Sequence, residues 1–282
     1  MEFVQYGNRE GPLVVYFHGA PGAVEECAVF AEHAEAHNLN ILCFDRFSID
    51  LSLEGDSYYQ KIADAIQAQA SGKGVDIVGF SIGAHVALEV GTYLKSQLRS
   101  THLISAAAPL NAADFIGNMA GGIVFKLAMQ RPFLFSLLAH YQKLMAKFAP
   151  GLLVNMLFTS AAGEDKALSK QDNFKSTIQT ILSQCFQYRL KGYMRDINNY
   201  VTWSGDLGEV RSNVCLWHGT EDNWSPYAMA SCLAAGITGD TRIEAMEGLS
   251  HYSCLQASVP KICVELQDSK ESSRTQMDAA IG

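Results

Sequence analysis

Several features that mark specialised classes of protein are missing from the 282-residue sequence. Its seven cysteines form no CxxC pair and show no spacing typical of a zinc site or a disulfide framework, so free thiols in a reducing compartment are expected. Basic residues are few, 21 against 29 acidic ones. The resulting net charge of -8 argues against a surface that neutralises the phosphates of DNA or RNA. Nucleic acid is therefore not an expected partner.

Long apolar runs are missing as well. The most apolar region, 115–162, is interrupted by charged residues and prolines, so no window reaches the length of a membrane span. The first residues include Glu2, Arg9 and Glu10 and contain no apolar stretch of the kind found in a signal peptide. These observations predict a soluble, cytoplasmic protein without stable membrane insertion.

What the sequence does have is a large supply of core residues, since 48% are hydrophobic and 10% aromatic. Six short apolar runs are predicted to be strands: Leu13–Phe17, Ile41–Phe44, Val75–Gly79, Leu103–Ala106, Val214–His218 and Thr241–Met246. Helical patterns alternate with them at Glu25–His37, Ser57–Ala70, Ile82–Leu98 and in a helix that Ser225 caps and Pro226 begins. This alternation predicts an α/β fold with a mostly parallel central sheet flanked by helices.

The composition changes between Pro109 and Gly205, where strand signals stop and amphipathic patterns rich in Met and Phe take over. We therefore predict a core made of residues 1–109 and 206–268, an all-helical lid at 110–205, and a loose C-terminal tail at 269–282. Most apolar residues of such a lid pack internally. Those that face the core would line a pocket for a mainly hydrophobic small-molecule substrate.

One motif points to chemistry. Gly79-Phe80-Ser81-Ile82-Gly83 matches GxSxG and lies between a predicted strand and a predicted helix, which is the setting of a nucleophile elbow. In that setting the Ser81 hydroxyl would be exposed at the carboxyl edge of the sheet. The alternative is a serine that only caps the helix.

A serine nucleophile needs a histidine base and an acid that orients it, and in proteins with such an elbow both follow the serine along the chain, acid first. His251 fits best as the base because it lies in a loop just past the last predicted strand. Asp222 follows the strand before it and is the preferred acid. Glu221 and Asp114 remain alternative acids.

The other histidines have simpler explanations. His18, His85 and His218 are predicted to be structural, and His33 with His37 lacks a third ligand for a metal. The glycine pairs of the chain do not have the spacing of a phosphate-binding loop. We expect neither metal nor other cofactor.

Together these motifs resemble the α/β-hydrolase superfamily, in its serine-nucleophile branch. The turn His18-Gly19-Ala20-Pro21-Gly22 is similar to the HGxPG turn found among proline iminopeptidases, esterases and epoxide hydrolases. The resemblance implies an α/β-hydrolase fold with a helical lid. It also implies an oxyanion hole formed by the main-chain N–H groups of Ala20 and Ile82.

A second stretch, Asp45 to Ser52, resembles the DRPGYGxS loop of the same family, but Phe47, Ser48 and Asp50 replace its proline and two glycines. The loop beside the site is thus expected to have a different shape. The family's haloalkane dehalogenases and epoxide hydrolases use an aspartate at the elbow, and Ser81 argues against both activities.

The expected function is a serine hydrolase of carboxylic esters that works through an acyl-enzyme intermediate. A first alternative is a proline iminopeptidase-like aminopeptidase, which would need lid carboxylates to hold the substrate's amine; the candidates are Glu164, Asp165, Asp172 and Asp196. A second alternative is a non-catalytic receptor or interaction module of the same fold.

Overall fold

The computed structural model describes residues 1–210 and 212–281, with side chains described up to 269. Its centre is a sheet of seven strands: β1 (Phe3–Gly7), β2 (Leu13–Phe17), β3 (Asn40–Phe44), β4 (Val75–Phe80), β5 (Leu98–Ile104), β6 (Asn213–Gly219) and β7 (Thr241–Met246). The strands lie in the order β1-β3-β2-β4-β5-β6-β7. Strand β1 is antiparallel to β3, and the other neighbouring pairs are parallel.

The central strands have the composition that a doubly covered parallel sheet requires. Every residue of β2 (LVVYF) and of β4 (VDIVGF) is buried, because helices cover both faces of the sheet. The predicted α/β architecture, a mostly parallel central sheet flanked by helices, is confirmed.

Eleven α-helices surround the sheet: α1 (Ala31–Ala36), α2 (Gly55–Ala70), α3 (Ile82–Leu94), α4 (Gly122–Gln130), α5 (Pro132–Phe148), α6 (Pro150–Leu157), α7 (Asp165–Leu168), α8 (Asp172–Ser183), α9 (Leu190–Val201), α10 (Ala228–Gly236) and α11 (His251–Ile281). Six of them, α4 to α9, lie between β5 and β6, where the described residues form no strand. We call residues 110–205 the helical insertion. The predicted loose tail, 269–282, falls almost wholly outside the residues whose side chains are described, and it stays a prediction.

Two boundaries around β5 differ from the sequence prediction. Helix α3 ends at Leu94, where Lys95 takes a positive φ of 50°, and does not run on to Leu98. Strand β5 begins at Leu98 and ends at Ile104, earlier than predicted at both ends. The polar run Ser100 to His102 hides this strand in the sequence, although it pairs in register with both β4 and β6.

Two predicted helices also need correction. The segment predicted as one helix at Glu25–His37 is a 3₁₀ helix at Val24–Phe30 followed by the short α1. Helix α10 begins at Ala228, so Ser225 and Pro226 neither cap nor start it. The reason is that the Ser225 N–H is bonded to the Asp222 side chain and belongs to the loop before the helix.

Two further properties bear on the function. Within the described part of the chain, none of the helices combines the length and the apolar character needed to cross a bilayer. All seven cysteines are free; six are buried, and Cys232 on α10 is half-buried.

Candidate active site

Ser81 stands in a strained turn between β4 and α3. Its backbone has φ 55° and ψ −124°, a region that side-chain-bearing residues rarely adopt, and its hydroxyl makes no capping bond to the helix. The alternative of a simple helix cap is therefore not supported. The strand-turn-helix geometry and the half-exposed position are those of a nucleophile elbow.

Gly83 shows why this turn needs glycine. A Cβ at Gly83 would lie 2.2 Å from the carbonyl oxygen of Phe17 on β2, so even alanine would force the first turn of α3 away from the sheet. The absence of a side chain lets the start of the helix approach β2 and hold Ser81 at the sheet edge.

Asp222 and His251 form a buried pair at the same edge. The Nδ1 atom of His251 lies 2.8 Å from Oδ2 of Asp222. The other carboxylate oxygen of Asp222 accepts the N–H groups of Trp224 at 2.8 Å and Ser225 at 3.0 Å. Every oxygen of the carboxylate thus has a partner, and an Nδ1–H donated to it leaves Nε2 of His251 as the acceptor nitrogen.

Electrostatics at Asp222 favour the charged form. Burial by itself would raise the pKa of Asp222, but His251, His218 and the N–H of Ser225 outweigh burial and lower it. The alternative acids are placed differently, since Glu221 and Asp114 are both exposed. Among the predicted acids, the structure brings Asp222 to the histidine.

The end of strand β5 connects the serine and the histidine. The N–H of Ser81 donates to the carbonyl of Ile104 at 3.0 Å, and the hydroxyl of the next residue, Ser105, donates to the carbonyl of His251 at 3.3 Å. The ring of Phe80, which precedes Ser81, lies 4.7 Å from the His251 ring. Among the described residues the Ser81 hydroxyl has no hydrogen bond, to His251 or to another group. Such a bond is often formed only when substrate is bound.

The turn at residues 18–22 also lies next to Ser81. A Cβ placed on Gly19 would lie 3.5 Å from Cβ of Ser81, and the Ala20–Pro21 peptide bond is cis. Within the described residues, the N–H groups of Ala20 and Ile82 donate to no backbone or side-chain acceptor. Two unbonded N–H groups beside a serine are what an oxyanion hole provides.

Three buried side chains hold this turn. Glu26 accepts the N–H of Gly19 at 2.9 Å and the hydroxyl of Tyr16 at 2.7 Å. The Gly19 carbonyl accepts from His18 Nδ1 at 2.8 Å and from Arg46 at 3.3 Å. Burial, followed by the charge of Arg46, lowers the pKa of His18 far below its usual value, so this histidine is neutral and structural, as predicted.

Glu26 was not predicted from the sequence. Burial raises its pKa, although its bonds to Tyr16 and Gly19 and the nearby Arg46 act in the opposite direction. It lies in a 3₁₀ helix and is followed by apolar residues, so nothing in the local pattern distinguishes it from its neighbour Glu25.

The helical insertion contacts the loop that carries Asp222. Asn223 accepts the N–H of Ala120 at 2.7 Å and donates its side-chain amide to the carbonyl of Ser160 at 2.6 Å. The ring of Phe158 packs against Trp224 at 5.9 Å, and Trp224 is stacked on His251. The insertion therefore supplies aromatic surface next to the candidate base.

A buried ion pair anchors the insertion to the core. Arg46, in the loop after β3, donates to Asp196 on α9 at 2.7 Å, and the hydroxyl of Tyr58 on α2 donates to the other oxygen of Asp196 at 2.8 Å. Arg195 bonds the carbonyls of Arg46, Ile49 and Asp50. The loop from Asp45 to Ser52 thus follows the surface of α9 closely.

Gly192 permits that close approach. A Cβ at this position would lie 2.1 Å from the carbonyl oxygen of Phe47. Phe47 is one of the residues that replace the family's expected loop sequence. Only glycine lets the α9 backbone pack directly on the Phe47 main chain.

A possible metal cluster occurs at the opposite, amino end of the strands, beside an open cleft of about 1590 Å³. His102, Cys215 and Glu265 have potential ligand atoms within 4.8 Å of one another. Arg242, however, already donates to Cys215 at 3.1 Å and to both oxygens of Glu265. The indole N–H of Trp217 donates to Nδ1 of His102, which places the imidazole proton on Nε2 and removes that ligand. We do not assign a metal to this cluster.

Two further histidines, His85 and His218, make contacts that fit their predicted structural roles. Nε2 of His85 is bonded to the Tyr59 hydroxyl at 2.9 Å, and burial lowers the pKa of His85 to about 3. His218 bonds the Ser225 carbonyl at 2.7 Å, and burial is the main cause of its lowered pKa.

Comparison with known proteins confirms the predicted α/β-hydrolase fold. The sequence model of the family described as "Alpha/beta hydrolase family" matches residues 14–266. No curated protein matches the sequence.

Among solved structures, a bromoperoxidase from Bacillus anthracis is similar, with 14% identity, a TM-score of 0.67 and coverage of 95% of this chain and 94% of that one. An enol-lactonase from Burkholderia xenovorans LB400 has 11% identity, a TM-score of 0.65 and 95% coverage of both chains. An esterase from Exiguobacterium antarcticum has 16% identity, a TM-score of 0.60 and coverage of 96% and 94%. At these identities the likeness concerns the fold.

Proposed function

Because the chain belongs to the alpha/beta hydrolase family, we propose that it is a serine hydrolase that cleaves carboxylic esters with a mainly apolar acyl or alcohol group. The observation that carries the proposal is the arrangement at the end of β5. There, Ser81 in its strained turn and the Asp222–His251 pair are bonded to consecutive residues.

In the proposed mechanism Ser81 Oγ attacks the ester carbonyl while Nε2 of His251 takes the hydroxyl proton. Asp222 holds the imidazole in the required tautomer and stabilises its positive charge. The N–H groups of Ala20 and Ile82 stabilise the oxyanion. His251 then gives its proton to the leaving alcohol, and water activated by the same nitrogen hydrolyses the acyl-enzyme.

The surroundings favour an apolar substrate. Trp224 is stacked 5.7 Å from the His251 ring, and Phe158 of the insertion packs on Trp224. In this proposal the insertion, residues 110–205, acts as the lid that lines the acyl or alcohol pocket. Its amphipathic helices bring apolar side chains to the loops of the candidate triad.

The aminopeptidase alternative needs an available carboxylate in the insertion, and two of the four candidates already accept hydrogen bonds at both oxygens. Asp196 is fully engaged by Arg46 and Tyr58, and Asp165 accepts the N–H groups of Tyr252 and Ser253 at 3.0 and 2.7 Å. Glu164 and Asp172 are exposed.

The proposal is tested by labelling with a fluorophosphonate probe, followed by assays with p-nitrophenyl butyrate and prolyl-naphthylamide. We expect one equivalent of label on Ser81, and ester hydrolysis that falls on the order of 10⁶-fold in Ser81→Ala. Ser71→Ala, at an exposed serine, is the control and should keep both properties. A preference for the amide would favour the aminopeptidase, and failure to label would favour a non-catalytic module.

A further inference from the structure

The surface of the helical insertion differs from the rest of the protein in its apolar exposure. Helix α5 carries five large apolar side chains that are about half exposed or more: Phe133 79%, Leu137 60%, Tyr141 48%, Leu144 56% and Phe148 73%. Their spacings of three and four residues place them in a narrow arc of the helix. The next helix, α6, adds Leu152 at 54% and Met156 at 50%. We call these seven residues the α5–α6 apolar face.

The opposite side of α5 packs against the rest of the protein. Phe135, Ala139 and Ala146 are buried and pack the helix onto the rest of the molecule. The α5–α6 apolar face is thus not the packing stripe of an ordinary amphipathic helix but a second apolar surface directed outward. Exposure of so many large apolar groups along one helix marks an interaction surface.

The stretch of sequence that carries this face has charge of one sign only. From residue 115 to residue 163 the sequence contains no Asp or Glu, whereas 29 such residues occur elsewhere in the chain. The same stretch has four basic residues, Lys126, Arg131, Lys143 and Lys147, and all four are exposed. The ammonium of Lys147 lies 5.1 Å from the Phe148 ring, so a cation and an exposed aromatic group are side by side.

We propose that the α5–α6 apolar face binds the surface of an anionic phospholipid bilayer, with the protein lying on the membrane. Leu, Phe and Met side chains would enter the boundary between headgroups and acyl chains, and Tyr141 suits the interface itself. The lysines would contact the anionic headgroups. The net charge of the whole chain, -8, would repel such a surface. Residues 115–163, which contain no Asp or Glu, therefore determine which side of the protein faces the membrane.

A second copy of the chain fits this face less well. A symmetric dimer would place the same patch on both partners, and the four cations of each copy would approach one another without a carboxylate from residues 115–163 to compensate them. An anionic bilayer supplies an apolar interior for the exposed side chains and negative headgroups for the four cations. The inference does not depend on the esterase proposal.

Cosedimentation with sucrose-loaded vesicles tests the proposal. The wild-type protein is expected to partition at least about tenfold more strongly to equimolar phosphatidylcholine and phosphatidylglycerol than to phosphatidylcholine alone, and less at high salt. Phe133→Ser/Phe148→Ser should weaken binding about tenfold or more, because both rings are largely exposed and their removal costs little core packing. Lys143→Glu/Lys147→Glu should weaken binding to the anionic vesicles by a similar factor.

Matched control variants carry the same changes elsewhere. Leu51→Ser/Val264→Ser alters two apolar residues that are each 43% exposed, and Lys61→Glu/Lys73→Glu reverses two exposed charges of the core. Both should bind like the wild type. Binding that is absent, that ignores lipid charge or that falls equally in the controls would overturn the proposal. So would a dimer in sedimentation equilibrium that Phe133→Ser/Phe148→Ser dissociates, because the face would then bind a second copy.

Discussion

Two buried ionic groups, each built around an aspartate, behave differently in this protein. In the first, Asp222 holds Nδ1 of His251 and two backbone N–H groups, while no hydrogen bond among the described residues engages Nε2 of the histidine. In the second, Asp196 binds Arg46 and Tyr58, and these three side chains join the insertion, the loop after β3 and α2. One group ends in an available nitrogen, and the other connects three parts of the fold.

The two groups differ in the side chain that each aspartate binds, a histidine for Asp222 and an arginine for Asp196. A neutral imidazole keeps one ring nitrogen that can accept a proton, whereas arginine keeps its charge at any pH at which the protein is folded. Burial alone would lower the pKa of Arg46, but Asp196 and Tyr58 outweigh it and raise this pKa further. We therefore expect changes in the first group to alter activity and changes in the second to alter stability.

The largest effect is expected for Asp222→Asn. The amide retains the shape of the carboxylate but favours the wrong tautomer of His251, so kcat for an ester should fall about 10⁴-fold with little change in the free energy of unfolding. Steady-state kinetics and urea denaturation measure the two quantities. Glu221→Gln, at the exposed neighbour, is the control. A comparable loss of activity in the control would mean that the wrong acid has been assigned.

Asp196→Asn should show the reverse pattern. It leaves the Arg46 guanidinium buried without its counter-charge, so the free energy of unfolding should fall by about 3–5 kcal/mol. Activity per folded molecule should change much less than in Asp222→Asn. Asp172→Asn, at a fully exposed carboxylate on α8, should leave stability unchanged in the same denaturation experiment. A loss of activity without a loss of stability would remove the distinction between the two groups.

His85, a buried histidine outside the Asp222 group, is likewise expected to affect stability. His85 is buried in the neutral form with a pKa of about 3, whereas in the unfolded chain its pKa returns to about 6.5. The unfolded state therefore binds one more proton below pH 6.5, and acid reduces stability. His85→Gln should make this decline shallower by about 1.4 kcal/mol per pH unit between pH 6 and 4.

Denaturation midpoints measured across this pH range test the change in slope. The slope is informative even if His85→Gln lowers stability at neutral pH. His140→Gln, at an exposed histidine, should keep the wild-type slope. An unchanged slope in His85→Gln would show that His85 takes up its proton at the same pH in the folded and the unfolded protein.

The smallest effect is expected at Glu26, which accepts the N–H of Gly19 in the turn at residues 18–22. In Glu26→Gln the amide oxygen still accepts the Gly19 N–H, so kcat/KM should fall less than about tenfold, since a charge-assisted bond becomes a neutral one. The pKa of Glu26 is raised in the free protein, and the pH dependence of kcat/KM reports the titration of groups in the free protein. Glu26→Gln should therefore remove the contribution of Glu26 from the acid limb of that profile. Glu32→Gln, at an exposed residue, should leave the profile unchanged.

These two groups also differ in how far they could be predicted from the sequence. Ser81 stands inside a local strand-turn-helix pattern, and the chain order of acid and base restricts the search for Asp222 and His251 to loops after predicted strands. By contrast, Arg46 and Asp196 are 150 residues apart in the chain, and no local pattern marks either as buried.

The errors in the fold have the same origin. The polar first half of β5 is a strand because β4 and β6 pair with it on both sides, and this pairing has no signal in periodicity. Ser225 and Pro226 match the chemistry of a helix start, but the Asp222 carboxylate binds the Ser225 N–H and delays the helix to Ala228. Tertiary contacts outweighed local preference in both cases.

The distribution of thiols has a practical consequence for optical studies. Since six cysteines are buried and Cys232 is half-buried, a maleimide dye added to the native protein should react at Cys232 first. Burial raises the pKa of this thiol, so mildly alkaline buffer would speed the coupling. The dye would then sit on α10, shortly after the loop that carries Asp222, and report on movements of that region without any change to the gene.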